Sequence, residues 1–377
     1  MGFEGVKIRR ARFVWLFPLL FVCLLLLPFI SFQRQYQQWQ DFELETTQDR
    51  LASYQKIVDA GKRKDETEES WQDTLTIYAG MQDQLAGLQT GNYRQYIRGR
   101  YQDTKIYEKM LADHRAVGRN LLDVQVELAD LAYFKDAPEK YAVTSNNMEA
   151  RMHASFYLAY LLQSFSLAIP LALLSLLIAF FTTYEKRNQT ENFDQMLPRS
   201  SIKRLITKFV SQYGTLVGIM FLSGGVIAVI IGMLTEWGSL NYQIHYADFH
   251  FDIHYLTIGE LLVKTVLLLA LGLLLCWLVS WLVEGATGSL TVHVLVLWVF
   301  LLPGIVPHFF AALPTMIAKW LPTSYYDIWP LLRSKNQWFA PEINFQQGVI
   351  THLVWIVALV GLVVLQSEWR RRKGSWR

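Results

Sequence analysis

Two cysteines, Cys23 and Cys276, both embedded in apolar runs, leave these 377 residues without the means to build a disulfide framework. Whatever lies outside a membrane must fold without covalent staples, and the two thiols read as inert buried side chains. Chemistry-bearing motifs are equally scarce. There is no GxxxxGK[ST], so the chain cannot hydrolyse ATP through a phosphate-binding loop. GxSxG, HExxH, paired CxxC and GxGxxG after a strand are missing too, and no two carboxylates are poised for acid–base work. The usual signs of an enzyme are therefore absent. A net charge of +3 offers no basic surface of the kind nucleic acid requires.

What the chain has in quantity is apolar length. Hydrophobic residues make up 52% and aromatics 14%, and mean hydropathy is +0.20. A helix needs roughly 20 apolar residues to cross about 30 Å of hydrocarbon. Six segments qualify: 13–32, 155–182, 209–234, 258–283, 287–305 and 347–366. The first follows Lys7, Arg9, Arg10 and Arg12 like a signal peptide. It continues into SFQRQYQQWQ with no small-x-small cleavage site, so a retained anchor is expected.

Lysine and arginine in the short loops set an orientation. Four in the tail 1–12, six in 183–208 and five in RRRKGSWR place 15 on one side. Opposite them, 235–257 has none and 306–346 has three, Lys319, Arg333 and Lys335. Both termini are expected in the cytoplasm, with lipid as the surrounding partner of a bacterial plasma-membrane protein. The fold expected is an all-α polytopic membrane protein with six transmembrane helices. A helical extracytoplasmic domain, 33–153, separates span one from a five-span core, 154–377.

The 33–153 segment holds 16 basic and 20 acidic residues and a single proline, Pro138, in a helix-forming mixture. Trp39, Phe42, Leu44, Leu51, Tyr54 and Val58 recur at helical spacing. Breaks at Gly61-Lys62, Gly80, Gly91-Asn92 and Gly118 predict three or four helices folded as hairpins. In 235–257, His245, Asp248, His250, Asp252 and His254 have metal-ligand chemistry, and His250 and His254 would share a face of a helix. Tyr242, Ile244, Tyr246, Phe249, Phe251 and Ile253 interleave with them, which favours an interfacial segment over a metal site. Pro303, Pro307, Pro314 and Pro322 are too close for one helix, so 303–346 reads as broken outer helices, with Trp320, Tyr325, Tyr326 and Trp329 as interface anchors. Glu260 and Lys264 form an expected ion pair one turn apart. His293 is expected in a helix-bundle hydrogen bond rather than a proton relay, and Glu284 is expected to reach water.

The most informative stretch is 183–208, TYEKRNQTENFDQMLPRSSIKRLITK, between two long apolar runs. Glu185 and Glu191 precede Met196-Leu197-Pro198, then Arg199, the helix-start pair Ser200-Ser201 and Lys203-Arg204. Pro198 suits a helix start, Ser200 or Ser201 can cap it, and Ile202, Leu205 and Ile206 give a short apolar stripe.

An acid after span two, a leucine-proline turn and lysines opening span three resemble the type 2 ATP-binding cassette (ABC) permeases. Arg199 and Ser200 stand transposed relative to the commonest pattern there. The resemblance implies a coupling helix seated on a separate nucleotide-binding ATPase subunit, with Glu185, Glu191, Leu197, Pro198, Arg199 and Lys203 as contact residues. It also implies that ATP is bound by that partner, that this chain needs no cofactor, and that a second permease completes an export path for a peptide or other amphipathic substrate. A membrane sensor using 33–153 to bind an outside ligand is the alternative. A metal-dependent transferase acting on lipid-linked substrates would rest on the 235–257 histidines alone.

Overall fold

The structure, a computed structural model, describes residues 12–136, 153–188, 201–247, 251–306, 314–328, 331 and 343–374. They are mostly helical, with one two-stranded antiparallel hairpin that the all-α expectation did not include. The helices are α1 (Arg12–Ala60), α2 (Glu68–Thr90), α3 (Tyr93–Ala112), α4 (Leu121–Asp136), α5 (Ala154–Ser164), α6 (Ala168–Arg187) and α7 (Ser201–Leu234). The hairpin strands β1 (Gln243–Ala247) and β2 (Ile253–Thr257) follow, then α8 (Ile258–Ala286), α9 (Leu290–Ile305), α10 (Thr315–Ala318) and α11 (Phe345–Gly374).

Four helical stretches are long and apolar enough to cross a membrane: Ala168–Arg187, Ile206–Leu234, Ile258–Ala286 and Phe345–Trp369. This is a membrane-embedded protein. Two shorter apolar stretches, Leu16–Ser31 and Leu290–Ile305, coincide with the first and fifth expected segments. At 1.5 Å per residue each covers about 24 Å, less than the hydrocarbon thickness.

The chain divides into two compact units. One, residues 26–157 and 231–259, is built on α2, α3 and α4 together with the hairpin. Thr67 caps α2 by accepting from the Ser70 amide at 3.2 Å, and Glu68 and Glu69 complement the positive end of its dipole. Gly91, at φ 70°, ends it in the left-handed conformation that glycine adopts at least cost. Asn92 then caps α3 by accepting from the Gln95 amide at 3.3 Å, so one turn serves as stop and start. Gly80 is not a break. It lies inside α2 against Gly99 of α3, where an added Cβ would come within 2.8 Å of the Gly99 carbonyl oxygen. Met81, Tyr96, Ile97, Val124, Leu131 and Phe134 fill the core of this unit.

The other unit contains residues 158–230 and 260–377 together with the start of the chain. Its expected second span, 155–182, is two helices, because the chain breaks between α5 and α6 at 165–167. Pro170 has no amide hydrogen to donate back to residue 166, which favours a fresh helix start there. The Ser166 hydroxyl occupies the break, donating to the Gly304 carbonyl at 2.6 Å and accepting from the Ala168 amide at 3.2 Å. The Leu167 amide donates to the Tyr326 carbonyl at 2.7 Å. Tyr325 and Tyr326 are fully buried rather than set at an interface, while Trp320 is half exposed and Trp329 lies outside the described residues. Room for the two rings comes from Gly272, Gly304 and Gly348, where any Cβ would fall within about 3 Å of a tyrosine atom.

Candidate functional site

The carboxyl ends of α6 and α8 and the amino ends of α7 and α9 carry a dense set of polar side chains. Glu185, near the end of α6, forms an ion pair with Lys208 of α7, and the two side chains are only 13% and 10% exposed. The Lys208 ammonium also lies 5.6 Å from the centroid of the Trp281 ring on α8. One residue on from Glu185, Lys186 pairs with Glu284 of α8 at 3.3 Å and also donates to the Glu284 carbonyl. Glu284 is therefore held by a cation instead of reaching water as its position at a span end suggested. Gly288 admits the Lys186 stem, since a Cβ there would sit 2.8 Å from the lysine Cδ. Both cations meet carboxylates, so the desolvated charges at this end are compensated in pairs.

Deeper in the same helices the polar groups are neutral. The Thr182 hydroxyl lies 2.8 Å from the Ser280 hydroxyl, which lies 2.8 Å from Nδ1 of His293. Nε2 of His293 faces the Thr287 carbonyl at 3.1 Å, so that nitrogen carries the hydrogen and Nδ1 accepts from Ser280. Gln212 of α7 donates to the Phe181 carbonyl at 3.5 Å and accepts from the Trp277 indole at 3.0 Å. His293 thus serves as a bundle hydrogen bond, as its sequence position implies. Together these contacts tie α6 to α7, α8 and α9.

Among the six expected contact residues, Glu185 is the one the structure places in this cluster. Glu191, Leu197, Pro198 and Arg199 lie outside the described residues, and Lys203 falls in the first turn of α7 with its side chain undescribed. The residues that hold Glu185 and its neighbours, Lys208, Glu284 and Trp281, were not singled out as contacts. Nor were Thr182, Ser280 and Gln212, although polar side chains inside apolar runs were a usable signal.

The histidine segment takes a different form from the helix considered for it. Register pairs His245 with Tyr255 and Tyr246 with His254, so His245 and His254 point to opposite faces of the hairpin. His245 is engaged instead by Asp130 of α4, and Asp248 and His250 lie outside the described residues. Among the described residues no three His, Cys, Asp or Glu side chains gather as metal ligands would. Glu260 and Lys264 form the expected pair at 2.7 Å.

No family model, curated protein or solved structure matches this chain.

Proposed function

We propose that this protein is the membrane subunit of an ATP-driven exporter, moving a peptide or other amphipathic compound out of a bacterial cytoplasm. In this reading the chain crosses the plasma membrane six times with both termini inside. Loop 183–208 docks on a separate nucleotide-binding ATPase subunit, and a second permease copy or paralogue completes the path. The observation that carries the reading is the buried Glu185–Lys208 pair, which closes the root of the basic loop onto the helix bundle. A push on a loop with a slack root would be lost in the loop. A push on a loop clamped at both ends reaches α6, α7 and, through Lys186–Glu284, α8.

Charge exchange tests this. Glu185→Lys or Lys208→Glu alone should abolish substrate-dependent ATP hydrolysis in the assembled complex, and the double exchange should recover a large part of it. Leu197→Asp and Pro198→Asp should uncouple hydrolysis from transport while the chain stays folded. Purification in mild detergent that never retains an ATPase, with transport indifferent to these changes, would remove the reading. One observation favours the sensor as a second reading: Asp130 of the helical unit grips the strand that follows α7. Deleting 36–150 separates the two, since loss of signalling with intact efflux favours sensing.

A further inference from the structure

Two neighbouring side chains in the unit that holds α8, α9 and α11 end in polar atoms with nothing to bond. Tyr326, which follows the 3-10 turn Pro322–Tyr325, and His352 of α11 are both 0% exposed, with ring centroids 5.6 Å apart. Among the described residues, neither the Tyr326 hydroxyl nor Nε2 of His352 has a hydrogen-bond partner. The polar groups around them do. Tyr325 and Thr351 both donate to the Lys319 carbonyl, at 2.7 and 3.1 Å, and Ser324 donates to the Ala318 carbonyl at 2.7 Å. Buried polar atoms are nearly always satisfied, so two orphans on adjacent rings point to a guest.

The chemistry of that guest follows from the two atoms. Nδ1 of His352 lies 2.7 Å from the Gly348 carbonyl, so in the neutral ring Nδ1 carries the hydrogen and Nε2 offers a lone pair. Tyr326 offers a hydroxyl hydrogen. Its oxygen lies against α8, where a Cβ at Gly272 would come within 2.9 Å of it. Glycine at 272 therefore leaves the hydroxyl room that any larger residue would take.

We propose that Tyr326 and His352 form an internal binding site for one small neutral group that accepts from the hydroxyl and donates to Nε2. A water does both, and so does the amide of an amphipathic compound. An ester or ether only accepts, and it would leave Nε2 unsatisfied. An ionised group would meet no countercharge on either atom. The site stands apart from the transport reading, because it needs neither an ATPase nor a second permease.

A cycle of substitutions on the full chain in lipid nanodiscs tests the site through the thermal midpoint. With a guest joining the two atoms, Tyr326→Phe strands both the guest and Nε2, and should lower the midpoint by about 3 °C. In a His352→Leu background the same change should cost nothing more, because the partnership is already broken. A midpoint that holds or rises with Tyr326→Phe in the native chain overturns the site, since deleting a truly unpaired buried hydroxyl relieves a penalty. Equal losses in both backgrounds overturn it too, since the hydroxyl would then act without His352. Given the coupled losses, decanamide identifies the guest. A midpoint raised by decanamide but not by N,N-dimethyldecanamide, and unmoved in Tyr326→Phe, assigns the site to an amide-bearing compound. No rise with either assigns it to water.

Discussion

Arg100 shows how one side chain can organise a helical unit that has no disulfide. Its guanidinium donates to the Tyr96 hydroxyl at 2.6 Å and to Glu127 at 2.9 and 3.1 Å, and Glu43 lies 3.6 Å away. The Tyr96 hydroxyl passes its own hydrogen to Glu43 at 2.9 Å, so α1, α3 and α4 share one network. Burial alone would push the Glu127 carboxyl up, but Arg100 and Arg119 outweigh it and hold the group below its ordinary value of 4.5. A carboxyl depressed on folding contributes stability that is fully present above that ordinary value and lost as pH falls through the lower, folded one. Hydrogen exchange of α3 and α4 amides should therefore accelerate below about pH 4.5 in the native chain. Glu127→Gln should destabilise the unit at neutral pH by about 3 kcal/mol, read by thermal unfolding, and should blunt that acid response. The charge balance of 33–153 was legible in the sequence, but this network was not. The links that join its helices run between residues such as Arg100 and Glu127, 27 apart, and Glu43 and Tyr96, 53 apart, and only the packing of three helices makes them neighbours.

At the scale of elements, glycines inside helices divide into two kinds that sequence alone does not separate. Gly99 presses on α2 so closely that a Cβ would fall 2.3 Å from the Gly80 carbonyl oxygen, and one at Gly87 would fall 2.4 Å from the Tyr96 amide nitrogen. Gly214 and Gly218 of α7 have nothing within 4 Å of that position. Alanine should gain up to about 1 kcal/mol of helix propensity wherever it fits. Gly214→Ala and Gly218→Ala should thus leave thermal stability unchanged or slightly raised, whereas Gly99→Ala should lower it by about 1–3 kcal/mol through overpacking. Equal effects at the two kinds of site would refute the close approach of α2 and α3. The turn at Gly91 is readable because a left-handed residue beside the capping side chain of Asn92 is a local signal, and Gly61 likewise takes a positive φ. Gly80 was read as a break because its reason lies in another helix. The interruption of the second apolar run was missed similarly: its length suggested one span, and Pro170 and Ser166 carried the local information that it is two helices.

Across the whole molecule, the decisive quantity is which side of the membrane each loop occupies, and the two short apolar stretches make this a real test. Ala168–Arg187 separates Val117 from Asn188, so the two lie on opposite sides if it crosses; whether the amino terminus lies across the membrane from Val117 depends on Leu16–Ser31. Its apolar length of about 24 Å falls short of hydrocarbon thickness, but α1 continues as helix well past Ser31, so flanking side chains can extend the crossing by snorkelling. The 15-to-3 bias of lysine and arginine is the ground on which 183–208 is proposed to face the cytoplasm. With Cys23 and Cys276 replaced, single cysteines at the exposed positions Val117, Asn188 and Asn241 can be probed with a membrane-impermeant maleimide. Intact cells should label Val117→Cys and Asn241→Cys but leave Asn188→Cys unreacted until they are lysed. Labelling at 241 alone would remove the crossing at Ala168–Arg187 and move the helical unit to the cytoplasm. Labelling of Asn188→Cys in intact cells would put the Glu185–Lys208 clamp where no cytoplasmic ATPase can reach it, and the exporter reading would fall with it.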